Sequence, residues 1–151
     1  TYSDNPYVSA VLATYAADAE MNGIRFEYSN DRFNTRLKTM EICTLLTDTL
    51  TTALNAAETC GLDDPFIRLS VTSGSGRSLV IEAVYSDRNE KPQPVKDWKQ
   101  LLARVEQITH AKSSNHLNNM EDTEYLIQRY SGTLDLAHRE SESILRVAIH
   151  A

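Results

Sequence analysis

The stretch LLTDTLTTALNAAE, Leu45 to Glu58, carries an aspartate and a threonine, Asp48 and Thr52, four residues apart. On a helix this spacing puts both on one face, and Thr47, Thr51 and Asn55 fall on the same side. A carboxylate there is an oxygen ligand for Mg²⁺ or a holder of water. A neighbouring hydroxyl adds a weak hydrogen bond. All five are modest helix formers at best, so the ladder has two readings: the face lines something polar, or it is simply solvated. The other reactive side chains form weaker patterns. His110, His138 and His150 have no metal-ligand spacing on a helix, and no Ser-His-Asp or Cys-His arrangement stands out. Glu121 and Glu124 read as solvated helix charges. Gly74-Ser75-Gly76 joins two strands, which makes it a turn and not a phosphate loop.

The elements that would position the ladder follow from hydrophobic period. Asn5-Pro6 starts a helix, with Asn as cap and Pro in the first helical position. Val8, Val11, Leu12, Tyr15 and Ala16 share one of its faces, and Gly23 stops it. IRFEY, from Ile24, alternates as a strand, and SNDRFNTR is a polar connection. A second helix is expected from about Leu37 to Cys60, with Gly61 as its stop. PFIRLSVTS and SLVIEAVYS alternate as a hairpin. WKQLLARVEQI reads as a short helix, THAKSSNHLNN as a polar stretch of eleven residues, and MEDTEYLIQRY as another helix. TLDLAH and ILRVAIH close the chain as a second hairpin. The order α-β-α-β-β-α-α-β-β predicts a two-layer α/β sandwich. Its one mixed, mostly antiparallel sheet would carry helices on one face.

The bulk numbers fit this. The chain has 151 residues, enough for one domain with a real core. Net charge is −6 and the pI is about 5.2. That argues against nucleic acid and against an anionic membrane surface as partners. No apolar run approaches the roughly 20 residues of a membrane span, and no secretory signal opens the chain. Thr1 points to a fragment of something longer. Cys43 and Cys60 on one helix would sit about 25 Å apart, beyond a disulfide's reach. Free thiols fit a reducing cytoplasm, with Cys43 read as a buried small apolar residue and Cys60 near the helix end.

The order and spacing of these pieces resemble the ATP-binding domain of sensor histidine kinases, in the GHKL ATPase superfamily. The branch that senses quorum peptides in Gram-positive bacteria is the most similar. NPYVSAVLATYAADAEMNGIRFEY matches that branch's opening Asn-Pro helix and following strand. DTLTTALNA matches the N box, N-x-x-x-N-A-I-E-A. HLNNM matches the H-G-x-G-L that opens a helix, and RYSG the Y-x-G that ends it. The resemblance covers essentially the whole chain. It implies a Bergerat-type fold, ATP and Mg²⁺ as ligands, and a γ-phosphate delivered to a His outside this chain. It also implies the protein's own dimerisation and phosphoacceptor helices as partners, a response regulator, a homodimeric full-length protein, and a cytoplasmic place in a cell-membrane protein.

The departures fall on the chemistry. The family's Mg²⁺-holding Asn is matched by Thr52, the first N-box Asn by Asp48 and the final Glu by Asn55. The two lid glycines, which let backbone N–H groups approach phosphate, are matched by Leu117 and Asn119. His116 matches the family's His. The Asn at the end of the strand before the lid is matched by Ser86. Asp48, Thr52, Asn55, Ser86, His116, Leu117 and Asn119 are therefore the candidate ligand contacts, Asp48 and Thr52 the weak candidates for Mg²⁺, and Asp48 the candidate catalytic residue. A hydrogen bond to a charged group is worth roughly 1.5–3 kcal/mol, and each 1.4 kcal/mol is about a decade in Kd. Losing two or three such contacts would remove ordinary micromolar ATP binding. The alternative reading is an inactive, pseudokinase-like interaction module on the same scaffold.

Overall fold

The computed structural model describes residues 3–30, 35–73, 78–88 and 120–150. In chain order the elements are α1 (Pro6–Met21), β1 (Arg25–Asn30), α2 (Thr39–Thr59), β2 (Phe66–Ser73), β3 (Ser78–Ser86), α3 (Glu121–Arg129), β4 (Thr133–Arg139) and β5 (Glu142–His150). The expected helix over WKQLLARVEQI, the polar stretch after it and the Gly74–Gly76 turn lie outside the described residues.

Both helix ends of α1 form as the residues dictate. The Asn5 side chain accepts from the amides of Tyr7 (2.9 Å) and Val8 (3.3 Å), and Pro6 opens the helix. At the other end Gly23 takes a φ of 70°. This frees the Ile24 amide to reach the Ala19 carbonyl at 2.8 Å, a Schellman closure that needs a left-handed residue at that position. Ile24 is buried.

The five strands make one sheet in the order β1-β2-β3-β5-β4. Only β1–β2 is parallel; the other three pairings are antiparallel. α2 is the crossover between the two parallel strands, the role such a connection requires. β1 runs two residues beyond its apolar run, because Ser29 and Asn30 pair with Ser70 and Val71. One face of the sheet is buried throughout: Ile67, Leu69 and Val71 from β2, Leu79, Ile81, Ala83 and Tyr85 from β3, and Leu145, Val147 and Ile149 from β5. The alternate residues, such as Arg68, Glu82 and Arg146, stay at least partly exposed. α2 covers the buried face with Leu45, Leu46, Leu50, Ala53 and Ala57. This is the predicted α/β sandwich, helices on one face of a mixed, mostly antiparallel sheet.

Cys60 is buried as its place at the end of α2 suggests, but Cys43 is only half-buried, and neither is disulfide-bonded. Cys43 packs against the rim of the core and not within it.

Candidate functional site

The polar ladder of α2 is answered inside the molecule. Three of its five rungs, Asp48, Thr51 and Thr52, meet a neighbouring element. Thr51 Oγ1 lies 2.6 Å from the Tyr15 hydroxyl of α1. Asp48 Oδ2 accepts two hydrogen bonds from Thr123 in the first turn of α3, from the amide at 3.0 Å and the hydroxyl at 2.7 Å. Thr52 Oγ1 donates back to the Asp48 carbonyl at 2.9 Å and lies 3.3 Å from Met120 Sδ. Asn55 is half-buried, and its carbonyl accepts from Thr59 Oγ1 at 2.8 Å.

These contacts make Asp48 a cap for a helix on another element. Met120, at the N-cap of α3, contributes no side-chain hydrogen bond there, and the first four amides of any helix lack intrahelical partners. Asp48 supplies the missing acceptor from α2. Its carboxyl pKa is raised, first by burial and also by the nearby Asp122 charge, against the lowering pull of the two Thr123 donors. In the first turn of α2, Glu41 receives the Tyr130 hydroxyl on both carboxylate oxygens, each at 2.9 Å. Asp48 and Glu41 are seven residues apart, as are Thr123 and Tyr130. α3 therefore runs antiparallel to α2, held at each end by an α2 carboxylate.

Of the two candidate Mg²⁺ residues, Thr52 is closed off in this arrangement. Thr52 is 1 % exposed, and its one hydrogen is committed to the helix backbone. Mg²⁺ takes oxygen ligands in near-octahedral geometry and keeps several waters. A buried hydroxyl under a methionine sulfur does not offer that, so as placed Thr52 does not fit Mg²⁺.

Ser86 is not brought together with Asp48 and Thr52. Successive strand residues point to opposite faces, and Ser86 belongs with Glu82 and Val84 to the face α2 does not cover. Its hydroxyl accepts the Phe66 amide at 2.9 Å, tying the end of β3 to the start of β2. It also lines a cavity of about 530 Å³ with Phe66, Asp64, Arg139 and Glu142. His116, Leu117 and Asn119 lie outside the described residues.

A second polar cluster sits at the end of β3. Asp87, just past β3, accepts the Ser143 hydroxyl on Oδ2 at 2.7 Å. Its amide reaches the Ser141 carbonyl at 3.0 Å. Ser143 is fully buried, and its Oγ also lies 2.6 Å from His138 Nδ1 across the β4–β5 hairpin. The neighbouring Tyr85 phenol is fully buried beside Ser143. Burial first, and the Asp87 charge second, push its pKa far above the usual phenol range, against the lowering pull of a hydrogen bond with Ser143. Alternation through β3 is the signal that could have found Asp87: it continues the phase of Ala83 and Tyr85, the phase that faces the helices.

No protein-family model matches the chain, and no curated protein matches it in sequence. Solved structures do match. The catalytic domain of histidine kinase ThkA superposes with a TM-score of 0.69 at 11 % identity, over 97 % of this chain and 91 % of that one. The histidine kinase domain of the blue-light activated kinase EL346 from Erythrobacter litoralis gives 0.63 at 16 %, over 99 % and 64 %. ThkA in complex with the response regulator protein TrrA gives 0.66 at 12 %, over 98 % of this chain and 40 % of that one. Full-length ShkA in complex with AMPPNP gives 0.63 at 10 %, over 95 % and 29 %. The chain thus has the fold of histidine kinase catalytic domains.

Proposed function

We propose that this chain is the ATP-binding catalytic domain of a sensor histidine kinase in two-component signalling, and that it binds nucleotide weakly. The observation that carries the reading is the fold likeness over nearly the whole chain, at TM-scores of 0.63 to 0.69. It covers a structure holding AMPPNP and one bound to a response regulator. On this reading residues 1–151 are one domain of a longer, membrane-anchored and homodimeric protein. The domain faces the cytoplasm, and its partners are the protein's own phosphoacceptor helices and a response regulator. No described helix is long and apolar enough to cross a membrane.

The chemistry at the end of β3 suits the base of a nucleotide. An ionised carboxylate accepts at up to about four lone-pair sites, and Asp87 spends one on Ser143. The remaining capacity fits the exocyclic amine of a purine, with the Ser143 oxygen beside it as a further acceptor. The α2 end is less favourable. Asp48 holds α3 and Thr52 is closed over, so these two residues supply structure where a phosphate-bound cation would need ligands. ATP would bring its own phosphoryl group, and the chain's part would be positioning and charge stabilisation.

A second reading, an interaction module that keeps the fold without nucleotide, is favoured by the commitment of Asp48 to Thr123. An ¹⁵N-resolved NMR titration with ATP separates the two. The kinase reading expects saturable shifts at Asp87, Ser143 and their strand neighbours by about 10 mM ATP, a Kd of millimolar order or tighter. No shift at those amides would reject it in favour of the interaction module.

A further inference from the structure

We infer that the groove between α2 and α3 is the interface of a weak twofold homodimer of this domain. This contact goes beyond the nucleotide reading and is separate from any dimerisation helices elsewhere in the protein.

Among the described residues four large apolar side chains are exposed, and two of them share one place. Met40 is 73 % exposed and Tyr125 62 % exposed. Both line a groove of about 180 Å³ whose remaining wall is Glu41, Thr44, Asp122 and Leu126. A third, Tyr7 at 69 %, stands in the first turn of α1. That helix's cap is tied to the first residue of α2 by Asn5 Nδ2 donating to Thr39 Oγ1 at 3.0 Å. Exposed apolar side chains scattered singly need no explanation; a clustered set marks an interaction surface.

Charge selects the occupant. Because α3 runs antiparallel to α2, the two ends of the groove differ in sign. The first turn of α3 carries Glu121, Asp122 and Glu124. The other end carries Arg36 and Lys38 just ahead of α2, and Arg129 in the last turn of α3, around the single acid Glu41. With Asp48 of α2 beside that first turn, the formal charges of the ends are about −4 and +2. Asp122 and Arg129 are two helical turns apart, about 10 Å, close to one Debye length in physiological salt. A surface graded this way is complementary to itself when turned end for end. That is the operation of an isologous twofold contact. A second copy would set its acidic end against this copy's basic end, with Met40 and Tyr125 of each chain covering the other's between them.

Two anchors a side make a small interface, well below the roughly 800 Å² per partner of a stable complex. The expected Kd is therefore about 100 μM at about 50 mM salt. Sedimentation equilibrium on the whole chain, up to about 1 mM, reads this. The account expects a monomer–dimer equilibrium that weakens at least tenfold, about 1.4 kcal/mol, in the double variant Met40→Ser with Tyr125→Ser. Asp122→Arg and Arg129→Glu should each weaken it severalfold alone and restore it when combined, since each new charge meets its opposite across the axis. Circular dichroism of every variant confirms that it remains folded. A chain that is monomeric at about 1 mM overturns the inference and leaves the groove to a foreign helix. A dimer indifferent to the Met40 and Tyr125 changes, or charge reversals that fail to restore one another, also overturns it.

Discussion

Asp48 is where residue type and residue role part company. An aspartate on the polar face of a helix, four residues before a threonine, signals a ligand. The structure gives it a helix end to hold, through two hydrogen bonds from Thr123, whose side chain is fully buried. Nothing local announces this, because the two residues are 75 apart in sequence. Asp48→Ala leaves a buried hydroxyl and an amide without their acceptor, and should lower stability by about 2–4 kcal/mol in urea unfolding. Asp48→Asn, which keeps an acceptor oxygen, should lose about 1 kcal/mol. Equal losses for the two would mean that the hydrogen bonds are not what matters. The neighbouring threonines make the opposite comparison. Thr49 is fully buried and its hydroxyl has no partner among the described residues, so Thr49→Val should raise stability by about 1 kcal/mol, since removing an unsatisfied buried group is favourable. A loss of that size would show that a partner exists. At the end of β3 the sequence points to Ser86, whereas Asp87 is the residue in phase with the helix-covered face. Where a strand stops decides which side its last polar residue serves, and a strand's last residue is the least legible part of its pattern.

At the scale of elements the sequence was more legible. β2 and β3 occupy the segments that alternation marks, because each has one buried and one open face, and such a face pins the pattern. β1 was legible in place but not in length. It is an edge strand in parallel pairing, and β2 extends it over Ser29 and Asn30, residues with little strand preference of their own. The helix expected from Leu37 to Cys60 forms from Thr39 to Thr59. The Y-x-G ending of α3 has a physical reason in the structure. Ser131 turns left-handed at φ 55°, and the Gly132 amide closes on the Ile127 carbonyl at 2.7 Å. A Cβ on Gly132 would run into the Ala148 carbonyl oxygen and the Ile149 side chain. Gly132→Ala should therefore destabilise by about 3 kcal/mol, seen as a lower urea midpoint; an unchanged midpoint would mean β4 and β5 can part there freely. The other end of the α3 clasp makes a pH prediction. Desolvation alone would raise the Glu41 pKa, but the Lys38 amide, the Tyr130 hydroxyl and the Arg129 and Lys38 cations outweigh it and hold it below its usual value. With the folded pKa below the unfolded one, its contribution is full above the unfolded value of about 4.3 and fades as pH falls through the lowered folded value. The stability gap between the natural chain and Glu41→Gln should thus be open at neutral pH and closed in strong acid. A gap that persists in strong acid contradicts this.

For the whole molecule, the fold class was legible from the order of elements alone. What sequence could not give is how the α2 polar face is used, since that depends on which helix lands on it. α3 lands there, and it turns a ladder suited to a ligand into a seam between helices. The architecture is that of histidine kinase catalytic domains, with the end of β3 still offering Asp87 and Ser143. On the proposed reading, nucleotide recognition by this chain leans on the base and little on a cation at Thr52. Isothermal titration of the chain with ATP, run with and without Mg²⁺, tests this most directly. The account predicts a Kd weaker than about 100 μM, changed less than about threefold by Mg²⁺. Binding of about 1–10 μM that requires Mg²⁺ would contradict it, because Asp48 or Thr52 would then have to leave the partners that hold α3 in place.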